Sequence, residues 1–115
     1  MLAYFNNRLI NVSEDMPGFL NRAFKFGDGL FETVAVVNGK PRLLERHAER
    51  LSAGARVVRL EANKLICAEA LLTGCSKLIS SYPPSSLAKI RIYLYRSGEG
   101  LYTPLSSQAN LLMTF

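Results

Sequence analysis

The chain is poor in the residues that hold metals. It has one histidine and two cysteines, and their spacing is not that of a zinc site, so no metal is expected. The cysteines, Cys67 and Cys75, fall in one expected helix. A rise of ~1.5 Å per residue would set their Cα atoms ~12 Å apart, and a disulfide requires less than ~7 Å. Both are read as buried thiols. No apolar run approaches the ~20 residues of a membrane span. Residues 1–6 carry no charged segment ahead of an apolar stretch, so they are not a secretory signal. The expected location is the cytoplasm. Lysine and arginine exceed the acids, 14 to 9, for a net charge of +5. That balance speeds encounter with anions. The cations are scattered, however, and without a basic run no nucleic-acid binding is expected. Repeats and low-complexity segments are also missing.

What is present suits one globular domain over residues 1–115. Of these, 49% are hydrophobic and 20% charged, an ordinary soluble balance with enough length for a modest core. Residues 3–5 and 8–10 read as short strands around Asn6-Asn7, because asparagine tolerates the left-handed turn of a tight hairpin. Residues 13–18 are a loop, punctuated by Pro17-Gly18. Residues 30–37 are β-branched and aromatic, hence a strand. Phe31, Thr33, Ala35 and Val37 share one side of it, and Leu30, Glu32, Val34 and Val36 the other. Asn38-Gly39 is a strong hairpin signal, and the return strand should begin at residues 41–43.

From Leu44 the period changes to three and four. Leu44, His47 or Ala48, Leu51, Ala55 and Val58 make one apolar stripe of a helix, with Glu45 and Glu49 early and Arg56 and Arg59 late, as the helix dipole favours. Gly54 inside it costs ~1 kcal/mol relative to alanine and suggests close packing against another backbone. Asn63 is placed to cap a second helix with a stripe of Leu65, Ala68, Leu72, Cys75 and Ile79, ended by Pro83-Pro84. Residues 89–95 alternate, with Ile90, Ile92 and Leu94 on one face and Lys89, Arg91, Tyr93 and Tyr95 on the other. A glycine-containing loop over 96–104 and a strand over 109–115 follow. This order implies an α+β fold, an antiparallel sheet flanked by two helices.

Residues 21–33 carry the densest signal: Arg22, Phe24, Phe26, Gly27-Asp28-Gly29, Phe31 and Glu32. A Gly-Asp-Gly triplet alone is usually a plain turn. Here it is followed by Asn38-Gly39 and then by Glu45, His47, Arg50 and Leu51. The combination resembles the class IV (fold-type IV) pyridoxal-phosphate enzymes, which include branched-chain and D-amino acid aminotransferases and aminodeoxychorismate lyase. Asn21 stands where the family usually has aspartate, and Ala23 where it usually has glycine. The resemblance implies the N-terminal small domain of the D-amino acid aminotransferase-like fold.

The resemblance also implies roles. Arg50 matches the arginine that anchors the 5′-phosphate of pyridoxal phosphate, and a guanidinium fork suits that task; its bland alternative is a solvated helix arginine. His47, one turn earlier, matches a histidine in the hydrogen-bond network around the cofactor, and the alternative is a half-buried ring satisfied by backbone. Phe31 stands where D-amino acid aminotransferases have a substrate-binding tyrosine. Without a hydroxyl it can supply only an apolar wall, which disfavours a D-amino acid substrate, and a core phenylalanine remains the rival. Arg96, Gly98, Gly100, Tyr102 and Pro104 resemble the family's active-site loop, with Leu101 in place of its second arginine. Arg96 and Tyr102 are candidate substrate contacts, Arg96 for a carboxylate; a plain surface loop is the alternative. Glu32 is expected to pair with a nearby base, and Asp28 to fix its turn by side-chain to backbone bonds.

Pyridoxal-phosphate chemistry needs a lysine for the Schiff base. Lys25, Lys40, Lys64, Lys77 and Lys89 do not stand in the matching context, so no catalytic residue is assigned here. The C-terminal catalytic-lysine domain is expected to lie outside these residues, and this chain alone is expected to be inactive. The complete enzyme would move an amino group between an amino acid and a 2-oxo acid, as a homodimer. An aminodeoxychorismate lyase, releasing pyruvate and 4-aminobenzoate, and a non-catalytic module that keeps the fold are the alternatives.

Overall fold

Two tight turns set the register of the sheet. Asn6 and Asn7 take φ of 42° and 69°, and Asn38 and Gly39 take 48° and 76°. Left-handed pairs of this kind match the twist of the strands they join. The first turn links β1 (Leu2–Phe5) to β2 (Arg8–Asn11), and the second links β3 (Gly29–Val37) to β4 (Lys40–Pro41). The computed structural model describes residues 1–12, 22–98 and 106–115, with the main chain alone at 24 and 25. The expected loop at 13–18, and Asn21, Gly100, Leu101, Tyr102 and Pro104, lie outside the described residues.

The remaining elements are α1 (Arg22–Phe26), α2 (Leu44–Val57), α3 (Asn63–Ile66), α4 (Ala68–Ser80), β5 (Leu87–Arg96) and β6 (Ala109–Thr114). The six strands form one sheet in the order β2-β1-β6-β5-β3-β4, and every neighbouring pair is antiparallel. The α+β expectation, an antiparallel sheet with helices against it, describes the chain well. Helices α2 and α4 cover one face, where Tyr4, Val34, Val36, Ile90, Ile92, Leu94, Leu111 and Met113 meet Leu51, Leu71, Cys75 and Leu78 in the core.

Several local expectations need correction. The return strand is only Lys40–Pro41, because Leu43 adopts φ 57° and ψ 34° as the N-cap of α2. That left-handed residue swings the chain straight into the helix at some steric cost. Asn63 caps nothing, since Ala62 is the N-cap and makes no side-chain cap bond. The second helix is also broken. Cys67 is extended, with ψ 153°, because Ile66 and Leu71 are five positions apart and an unbroken helix would point them to different sides. The break lets both enter the core. The buried stripe of α4 is Leu71, Gly74, Cys75 and Leu78, while Leu72 is half exposed. Cys75 is buried as expected, but Cys67 is exposed. Gly54 packs against a side chain rather than a backbone: a Cβ there would lie 2.7 Å from Cδ1 of Leu30.

Candidate functional site

Strand parity decides what β3 presents to each side. Val34 and Val36 point into the core, and Glu32 follows the same parity, with 8% exposure. An acid on that face must find partners, since a lone buried carboxylate is costly. Helix α2 supplies them. His47 and Arg50 lie one turn apart on it and share a face. Oε2 of Glu32 is 2.7 Å from Nδ1 of His47, and Oε1 is 3.1 Å from Nε of Arg50. The His47 side chain is 15% exposed, whereas that of Arg50 is 73% exposed. Arg50 is thus an exposed cation tethered at its inner nitrogen to a buried acid. Neither of its terminal nitrogens, nor Nε2 of His47, has a protein partner among the described residues. The expectation that Glu32 pairs with a base holds, with two bases instead of one.

A second ionic cluster sits at the start of β3. Oδ2 of Asp28 accepts from Nε of Arg22 at 2.8 Å and from Nε of Arg96 at 3.0 Å. Burial pushes the Asp28 carboxyl up, but the hydrogen bonds and charges of Arg22 and Arg96 outweigh it and hold the group below its ordinary range. Asp28 therefore fixes this corner through side chains, not through the side-chain to backbone bonds expected from the turn.

Arg96 ends β5 and is 6% exposed, so it is no surface-loop residue. Its guanidinium also donates to the carbonyls of Val58, Arg59 and Ser106. Two of these are free carbonyls at the end of α2, where a cation is favoured. The guanidinium expected to reach a substrate carboxylate is thus committed to Asp28 and to the main chain. Tyr102 lies outside the described residues.

Phe31 is adjacent to Glu32 and so points to the opposite face of the sheet. It is 65% exposed, which removes the core-phenylalanine reading. The register sets Tyr93 directly across from it, then Leu112 and Phe5. These four form an apolar row on the face that α2 and α4 leave open. The structure thus joins His47, Arg50 and Glu32 on one side of β3, and Phe31 with Tyr93 on the other. Residue patterns alone missed Tyr93, although the alternation of β5 put it on the open face. They also missed the double role of Glu32, whose signal was an acid in the parity of Val34 and Val36.

The described residues hold no group of three or more histidine, cysteine or acidic side chains able to bind a metal ion. Among them no helix is long and apolar enough to cross a membrane. A cleft of about 680 Å³ lies between the end of α4 and the Asn38-Gly39 turn, lined by Ile79, Tyr82, Pro83 and Phe115. It opens at the far end of β3 from Glu32.

Comparison with known proteins extends these observations. The family model for amino-transferase class IV matches residues 29–115. D-alanine aminotransferase of Staphylococcus aureus (strain N315) is 32% identical over 60 residues, which cover 52% of this chain and 21% of that protein. The same enzyme of Bacillus licheniformis is 33% identical over 61 residues, covering 53% and 22%. Branched-chain aminotransferase from Thermoproteus uzoniensis, solved with norvaline, superposes with a TM-score of 0.81 at 23% identity over 99% of this chain and 39% of that one. The 4-amino-4-deoxychorismate lyase of Pseudomonas aeruginosa superposes with a TM-score of 0.73 at 28% identity, over 98% and 38%. The chain spans less than two thirds of the length of each of these relatives.

Proposed function

The chain belongs to the class IV aminotransferase family, and we propose that it is the N-terminal small domain of a pyridoxal-phosphate-dependent enzyme. That enzyme moves an amino group between an amino acid and a 2-oxo acid, in the cytoplasm and as a homodimer. The observation that carries this reading is the pair His47 and Arg50, tethered by Glu32 with the terminal nitrogens of Arg50 exposed. The terminal N–H groups of an exposed guanidinium are a donor fork that fits a phosphate monoester, so the residues present suit the cofactor's phosphate.

Each residue then has one task. Arg50 holds the phosphate, and His47 shares the carboxylate of Glu32 with Arg50. Phe31 and Tyr93 supply an apolar wall on the substrate side. When bound, pyridoxal phosphate supplies an electron sink for charge left on a substrate carbon. The lysine that chemistry requires is not assigned to Lys25, Lys40, Lys64, Lys77 or Lys89, so the 115 residues alone should show no turnover. Phe31 has no hydroxyl for a substrate carboxylate, which favours substrates other than D-amino acids. A lyase reading is kept alive by the 28% identity to the Pseudomonas enzyme. The complete protein would distinguish the two by releasing pyruvate from aminodeoxychorismate or by aminating branched-chain 2-oxo acids.

Arg50→Ala in the complete protein tests the assignment. Loss of a charged hydrogen bond, worth ~1.5–3 kcal/mol, should raise the Kd for pyridoxal phosphate at least tenfold by absorbance titration. An unchanged Kd would overturn the assignment and favour a module that kept the fold without the cofactor.

A further inference from the structure

Glu32 occupies a position that strand parity would give to valine. Its neighbours on the same face are Val34 and Val36, with 0% and 1% exposure. A buried ionic cluster at such a site is often no more stabilising than well-packed apolar side chains. Packing therefore does not explain the acid. Its geometry does: one carboxylate gives each oxygen to a different base, Oε2 to Nδ1 of His47 at 2.7 Å and Oε1 to Nε of Arg50 at 3.1 Å.

We propose that Glu32 is the positioning residue of the phosphate-binding edge, fixing the tautomer of His47 and pre-ordering the guanidinium of Arg50. The inference rests on the function proposed above. An ionised carboxylate only accepts hydrogen bonds, so Nδ1 of His47 carries the proton and Nε2 is left as an acceptor with no partner among the described residues. Arg50 is anchored through Nε, and its two terminal nitrogens, without a partner among the described residues, face the anion in this reading. An exposed arginine loses much rotamer freedom when it binds. Tethering it beforehand removes part of that loss, so the anion binds an arginine already in place. The carboxylate gives both of its oxygens to these two bases. It works through its two partners.

Two measurements test this. The first needs no variant. In the complete protein, long-range nitrogen–proton NMR of the neutral ring should find His47 as the Nδ1–H tautomer, its signal assigned by its loss in His47→Gln. A resting Nε2–H ring would overturn the proposal. The second is Glu32→Gln, compared by binding of pyridoxal 5′-phosphate and of pyridoxal, which lacks the phosphate. The variant should lose the tautomer preference and bind the phosphorylated form about tenfold more weakly, with pyridoxal unchanged. Equal weakening of both ligands would mean a general disturbance and would sink the positioning role. If Glu32→Gln leaves the Kd alone while Arg50→Ala raises it, the positioning role fails and the phosphate assignment stands. If neither variant raises it, the phosphate assignment itself fails. Should Glu32→Gln not fold, Glu32→Asp keeps the charge with a shorter reach and should weaken the phosphorylated ligand selectively in the same sense.

Discussion

Asp28 carries two arginines on a single oxygen, and its titration becomes a stability term. Its carboxyl is held below the ordinary range by Arg22 and Arg96 against the upward push of burial. A group depressed in this way stabilises the fold at every pH above its unfolded value, near 4. That contribution is lost as pH falls below the unfolded value and through the folded one. Asp28→Asn should cost about 3 kcal/mol at neutral pH, because the buried guanidinium of Arg96 loses its acidic partner and that of Arg22 loses one of its partners. The variant should also show a shallower fall in stability below pH ~4 than the parent, measured by denaturant unfolding across pH. The thiols separate in the same way, by environment. Cys67 is exposed, whereas burial pushes the Cys75 thiol up to about 12. A maleimide should label the folded chain at Cys67 and reach Cys75 only after unfolding, read by peptide mass.

The helices are placed by what small residues permit. A Cβ on Gly74 would meet Cε1 of Tyr4 at 2.5 Å and Cε of Met113 at 2.9 Å. Both neighbours are fully buried, so neither has room to move. Gly74→Ala should therefore destabilise by about 1–2 kcal/mol, overpacking exceeding the helix-propensity gain. Gly54 meets only the end of a partly buried Leu30. Gly54→Ala should come out within about 1 kcal/mol of the parent, and thermal unfolding of the two variants side by side checks the contrast. Helix α2 stops with Arg59 at φ 60°, as Leu60 N–H bonds to Ala55 O and Arg59 N–H to Arg56 O. This is the closing pattern usually completed by glycine. Arg96 then takes up the carbonyls of Val58 and Arg59, so the helix that carries His47 and Arg50 is fastened at its far end by a residue of β5.

At the scale of the molecule, one face of the sheet is covered by α2 and α4, and the other presents the row of Phe5, Leu112, Tyr93 and Phe31. Phe31 and Leu87 on that face are 65% and 70% exposed. Lys89 and Arg91 share that face between Leu87 and Tyr93, so the apolar groups form a row and an outlying leucine rather than a continuous patch, and exposed groups of this size favour association. The isolated 115-residue chain should self-associate as its concentration rises, and the double variant Phe31→Lys with Leu87→Lys should shift it toward monomer in sedimentation velocity. An unchanged distribution would rule out this face as the contact.

The sequence by itself determined the strands other than the short return strand β4, the two asparagine-led hairpins, helix α2 and the shared helix face of His47 and Arg50. Each of these is written in a local period or in turn chemistry: Asn6-Asn7 and Asn38-Gly39 demand left-handed turns, and positions 47 and 50 share a helix face wherever that helix lies. The phase of α4 was not decided locally. The stripes through Leu72 and through Leu71 both fit a helical period, and the close approach of Tyr4 and Met113 to Gly74 selected the second. The fate of the charges was likewise tertiary. Nothing near Arg96 in sequence announces the carbonyls at the end of α2, and nothing near Glu32 announces His47 and Arg50. A buried charge takes whichever partners the fold brings within reach, and only the packing of α2 across β3 brings these.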